Sequence, residues 1–107
     1  MPYYHTEYLP ATEMFPAVTP RAVYQDDVMI TFFEFEPKAF FPVHEHPHQQ
    51  ISWIVSGKME FDLAGEKRVL SPGDGVIIPP NTPHGGVILD EPCQAIDAWH
   101  PVREDYK

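Results

Sequence analysis

Pro42-Val43-His44-Glu45-His46-Pro47-His48-Gln49-Gln50 gathers three of the chain's six histidines into nine residues. His44 and His46 are two apart, so on a β-strand both imidazoles leave the same face. Two neighbouring ligands of one metal ion need that geometry. Gln50 keeps the parity and, after a bend at Pro47, offers a side-chain carbonyl oxygen. A fourth candidate, His84, closes the proline-stiffened run Pro79-Pro80-Asn81-Thr82-Pro83-His84, which holds an imidazole fixed. A lone histidine is more often structural than a ligand; for a His-x-His on a strand the two readings stand level.

Outward from this stretch the chain reads as short strands between turn signals. Residues 28–35 (VMITFFEF) are β-branched and aromatic at both parities, as in a strand covered on both faces. Strands are also expected at 39–46, 51–55, 58–63, 66–70, 76–78, 86–89 and 94–99. In 58–63 the alternation is clean, with Met59, Phe61 and Leu63 on one face. Ser71-Pro72-Gly73-Asp74-Gly75 is a strong turn cluster. No segment carries a helical period, so the fold class expected is all-β, a sandwich or barrel. Residues 1–27, rich in proline at their start, read as an N-terminal arm or edge strand. Residues 28–107 read as the barrel.

The 107 residues suffice for one domain. Sixteen acidic residues against seven basic ones give a net charge of −9, which repels nucleic-acid phosphates and anionic membranes. No apolar run approaches the ~20 residues of a membrane span. Cys93, the single cysteine, has no intramolecular partner, and residues 1–10 lack the basic and apolar pattern of a signal peptide. A reduced, cytoplasmic setting is therefore expected.

The spacing of the histidines resembles the cupin superfamily. Its first motif appears as His44-x-His46, three spacers, Gln50, six residues and Gly57. Its second appears as Gly73, five residues, Pro79-Pro80-Asn81, two residues and His84. The resemblance implies a jelly-roll β-barrel with one divalent metal ion (Zn, Ni, Co, Fe or Mn) on His44, His46, Gln50 and His84. Two positions depart from the family pattern. Asn81 replaces glycine, which is harmless if the residue is left-handed. Gln50 replaces the usual glutamate, leaving a divalent site at a formal +2 that attracts anions.

The C-terminal strand places Cys93, Ala95, Asp97 and Trp99 on one face. A carboxylate there is either solvent-exposed or a proton-transfer group inside the barrel. Trp99 would be a wall for a flat or cyclic substrate. Arg103 is equally a carboxylate clamp or a structural ion pair with Glu104 or Asp105. The ending Asp97-x-Trp99-x-Pro101-x-Arg103-Glu104-Asp105-Tyr106 looks like that of the KdgF-type pectin-degradation cupins, as do the Gln ligand and the 78–84 run. That resemblance implies ring-opening and ketonisation of 4,5-unsaturated uronates, with Asp97, Trp99 and Arg103 serving the reaction. A metal-dependent dioxygenase and a non-catalytic sugar- or metabolite-binding module are the alternatives. The expected partners are a small anionic sugar acid and a second copy of the chain, because the phenylalanine-rich 30–41 stretch and the arm exceed what a small barrel covers.

Overall fold

The computed structural model describes residues 3–12 and 15–107. Nine strands follow in chain order: β1 (Val18–Tyr24), β2 (Met29–Phe35), β3 (Phe40–His44), β4 (Gln49–Ser56), β5 (Met59–Leu63), β6 (Glu66–Leu70), β7 (Gly75–Ile78), β8 (His84–Ile88) and β9 (Cys93–His100). They form two antiparallel sheets, β1-β2-β9-β4-β7 and β3-β8-β5-β6. The helical elements among the described residues are two three-residue 3-10 turns, Thr6–Tyr8 and Glu104–Tyr106. None is long and apolar enough to cross a membrane.

The sheets face each other, and strand alternation decides what lies between them. From β2 come Met29, Thr31, Phe33 and Phe35; from β9 come Cys93, Ala95, Asp97 and Trp99, all buried. Phe33 and Phe35 stack at 5.4 Å, and Phe41 lies 6.0 Å from Phe35 and 6.2 Å from Phe61, which links the sheets through aromatic contact. The parity read for β5 holds, with Met59 and Phe61 buried.

Two details differ from the sequence reading, and a third gives the arm or edge strand its extent. β2 is not covered on both faces: Ile30 and Glu34 are exposed, and Phe32 is half-covered by Tyr4 of the arm at 6.2 Å. The arm contains β1, which pairs along its whole length with β2. Pro20 sits within β1, which an edge strand tolerates because its missing N–H breaks no inner ladder. β3 ends at His44 after a register shift, so His46 lies in the following loop and not on a strand.

Two turns show why their residue types matter. Gly57 has φ +75°, and a Cβ there would stand 2.2 Å from the Pro92 carbonyl oxygen. Asn81 has φ +58°, the left-handed conformation asparagine tolerates. Its N–H donates to the His46 carbonyl at 2.7 Å, tying the 79–84 run to the histidine loop.

Candidate metal centre and lumen

β3 and β8 meet at His44 opposite His84, and the loop after β3 folds His46 over both. Ring centroids are 4.4 Å apart for His44–His84 and 4.9 Å for His46–His84. One nitrogen from each of the three rings lies within 4.8 Å of the others, close enough to hold one metal ion.

The backbone fixes which nitrogen that is. His44 Nδ1 stands 2.9 Å from the Pro42 carbonyl, His46 Nδ1 3.2 Å from that of His48, and His84 Nδ1 2.8 Å from that of Thr82. A carbonyl only accepts, so each Nδ1 carries the proton and each Nε2 is left a bare lone pair. His84 Nε2 is buried without a partner. Burial lowers the His84 pKa to about 4, with smaller lowering from His44, His46 and Arg103. His46 is also lowered, chiefly by burial. Burial thus favours the neutral form of His46 and His84, the form that binds metal.

Gln50 enters from β4. Its Oε1 lies 2.9 Å from His46 Nε2. With His46 protonated at Nδ1, two lone pairs face each other across that gap. Two donors at about 2.1 Å from a cation and at right angles would stand about 3.0 Å apart. The residues present therefore fit a divalent ion, on the evidence of an orphaned Nε2 and a facing pair of acceptors.

Behind Gln50 lies Asp97. Gln50 Nε2 donates to Asp97 Oδ2 at 2.6 Å and stands 3.4 Å from Ser52 Oγ. Asp97 is 6 % exposed, and burial pushes its carboxyl up to about 6 against the opposing hydrogen bonds of Ser52 and Gln50. Trp99 packs 5.3 Å from His46 and donates through Nε1 to Thr31 Oγ1 at 2.9 Å. Arg103 binds Asp105 with two hydrogen bonds, 3.1 Å from Nε and 2.7 Å from Nη2. Its guanidinium carbon also lies 5.1 Å from the Trp99 ring centre and 4.7 Å from that of Tyr106. Nη1 remains buried and unpartnered. A partly open cavity of about 50 Å³ has Gln50, Asp97, Trp99 and Tyr106 among its walls.

The family model for the cupin domain matches residues 31–99. The chain belongs to the cupin family. This cupin is 36% identical over 84 residues to the pectin degradation protein KdgF of Dickeya dadantii, covering 78% of this chain and 76% of that one. The structure of KdgF from Halomonas sp. superposes with a TM-score of 0.90 at 33% identity, over 98% of this chain and 97% of that chain. The chain is also 32% identical over 78 residues to the dimethylsulfoniopropionate lyase DddQ of Ruegeria pomeroyi. That match covers 71% of this cupin and 39% of the lyase, so the chain spans about two-fifths of that relative's length.

All seven residues singled out in the sequence lie in one connected cluster, from the histidines through Gln50 to Asp97 and through Trp99 to Arg103. Arg103 is ion-paired with Asp105 and also keeps a free donor, so the two readings of it are compatible. His48 is a neighbour of the cluster, its ring 5.4 Å from that of His46. His5 caps the first 3-10 turn, and His100 is exposed. The sequence reading passed over Ser52, Thr31 and Tyr106. Ser52 was findable, since it shares the parity of Gln50 on β4. Thr31 lies among apolar residues on the buried parity of β2, where a hydroxyl signals a buried donor needing an acceptor.

Proposed function

We propose that this cupin is a metal-dependent enzyme that opens and ketonises 4,5-unsaturated uronates, the anionic sugar acids released from pectin or alginate. The observation that carries the reading is the juxtaposition of three bare Nε2 atoms and Gln50 Oε1 with a buried carboxylate, Asp97, one side chain away. His44, His46, Gln50 and His84 would hold the ion, and donors of this kind suit Zn, Ni, Co, Fe or Mn. A divalent ion there supplies Lewis acidity and positive charge.

The chain's own residues divide the remaining work. Arg103 Nη1 binds the substrate carboxylate, while Asp105 and the flanking rings of Trp99 and Tyr106 keep the guanidinium in place. Asp97, with a pKa raised toward neutrality, takes the proton of the anomeric hydroxyl. The bond between C1 and the ring oxygen breaks, C1 becomes an aldehyde, and an enolate forms across C4–C5. The enolate takes a proton at C4 and becomes the C5 ketone, so the reaction is an isomerisation with no net gain or loss of atoms. The sugar acid is held beside Arg103, with its reacting edge toward Asp97.

A second reading draws on the likeness to the lyase. Proton abstraction next to the carboxylate of a compact acid, as the name of the related dimethylsulfoniopropionate lyase suggests, uses the same three parts: base, cation anchor and metal.

The test is the loss of ultraviolet absorbance when metal-loaded protein meets freshly generated 4,5-unsaturated galacturonate, corrected for uncatalysed decay. Acceleration that chelation and Asp97→Asn both abolish, with metal content unchanged in the variant, supports ring opening. No acceleration with any of the five metals, together with release of dimethyl sulfide from dimethylsulfoniopropionate, establishes the second reading instead.

A further inference from the structure

Met29, Thr31, Phe33 and Phe35 form the buried side of β2, and Thr31 is the one polar residue among them, with no exposed surface. In the β2–β9 register Thr31 stands opposite Asp97, and Met29 stands opposite Trp99. Trp99 is therefore the diagonal neighbour of Thr31, within reach of a large side chain. The contact they make is the hydrogen bond from Trp99 Nε1 to Thr31 Oγ1 at 2.9 Å. A valine has the same branched shape and no polar atom to satisfy, so packing alone does not call for threonine here.

We propose that Thr31 is a positioning residue for substrate binding: it locks the Trp99 ring, and the ring aims the Arg103 guanidinium at the substrate carboxylate. The inference rests on the reading in which Arg103 binds that carboxylate. Its first support is the freedom of the ring. The χ2 torsion of an aromatic side chain is broad and roughly two-fold, so two edge orientations are open to a buried indole. The Thr31 hydroxyl selects one of them, because the other buries the Nε1 hydrogen without an acceptor.

The second support is what the selected orientation presents. The guanidinium carbon of Arg103 lies 5.1 Å from the Trp99 ring centre and 4.7 Å from that of Tyr106, and the two rings are 5.5 Å apart. Stacking against rings fixes the plane of a guanidinium and with it the direction of its N–H groups. Asp105 already takes Nε and Nη2, so Nη1, buried and without a partner among the described residues, is the group whose aim the rings set. The third support is where Thr31 is not. Trp99, Tyr106 and Asp97 line the cavity and Thr31 does not, so it acts through Trp99 and not by touching the ligand.

Steady-state kinetics of the metal-loaded full chain on 4,5-unsaturated galacturonate, with calorimetric binding of saturated galacturonate, test the proposal. Thr31→Val should raise KM and weaken galacturonate binding about tenfold, with kcat changed less than about twofold and metal content unchanged. Thr31→Ser, which restores the acceptor, should return both to the parent values. Thr31→Ala makes the same comparison if valine disturbs folding. In an Arg103→Ala background, Thr31→Val should weaken galacturonate binding no further, since its path runs through the guanidinium. The indole N–H resonance of Trp99, told from that of Trp53 by Trp53→Phe, should move upfield in Thr31→Val and return in Thr31→Ser. A parent chain that binds galacturonate and leaves the unsaturated sugar unconverted removes ring opening, and the binding series then decides this inference alone. Unchanged binding in Thr31→Val, a fall in kcat with KM unaltered, failure of serine to rescue, a further loss in the Arg103→Ala background, or a parent chain that binds no galacturonate overturns it.

Discussion

Gln50 holds Asp97: its amide nitrogen donates to Asp97 Oδ2 at 2.6 Å while its amide oxygen turns toward His46 Nε2, 2.9 Å away. One side chain thus joins the histidine cluster to the buried acid, and its orientation is set by the two different partners. A glutamate in its place would supply a stronger anionic ligand but no donor to Asp97.

Gln50→Glu should therefore separate metal binding from turnover. Two carboxylates at hydrogen-bond distance in a buried site must share a proton, so Asp97 loses its capacity as a base near neutrality. We expect metal content by elemental analysis to be equal or higher, and kcat on the unsaturated uronate to fall at least tenfold. Undiminished kcat would show that the amide has no part in keeping Asp97 ionisable.

The same carboxyl imposes a pH signature on the metal-free protein. Asp97 titrates at about 6 in the fold against 3.8 ordinarily, so the stability it contributes is full below 3.8 and lost as pH rises through 6. His84, at about 4 against 6.5, acts oppositely: its contribution is present above 6.5 and lost as pH falls toward 4. Comparison with Asp97→Asn cancels the histidine. Lowering pH from 7 to 5 in chelator should stabilise the parent chain relative to the variant by about 1 kcal/mol, read from urea unfolding.

Cys93 should be inert. It is fully buried, and burial raises its thiol pKa to about 11. At pH 8 about one thiol in a thousand is then ionised even before access is considered. A disulfide reagent should modify the native chain at least a hundredfold more slowly than the chain in urea. Rapid labelling of the native protein would contradict the buried placement of β9.

Two glycines distinguish conformational strain from steric clash. Gly57→Ala meets both a positive φ and the Pro92 carbonyl, and should cost about 3 kcal/mol or more. Gly65→Ala has φ +91° but nothing within 4 Å, and should cost only about 1–2 kcal/mol. Chemical denaturation of the two variants provides the comparison, and equal costs would argue against the Gly57–Pro92 approach.

Much of this architecture is legible in the sequence because strand parity is strict. The eight strands from β2 to β9 are readable from alternation and turn residues, and Asp97 and Trp99 fall on the lumen side for the same reason. β1 was expected only as part of an arm or edge strand over residues 1–27, and its bounds are set by pairing with β2. His46 shows a different limit, since its approach to His44 depends on the loop and the Asn81 hydrogen bond and not on strand parity. The Arg103–Asp105 pair and the Trp99 and Tyr106 rings around it depend on how the C-terminal turn folds back, which no local pattern encodes.

In the proposed site, three imidazoles presenting Nε2, with Gln50 Oε1, hold one divalent ion inside the barrel. Crystals of metal-loaded protein, measured at the absorption edge of the bound metal, test it directly. One anomalous peak per chain is expected, about 2.1 Å from Nε2 of His44, His46 and His84 and from Gln50 Oε1. A peak elsewhere, or a fully loaded protein whose ion leaves any of those histidines uncoordinated, would contradict it.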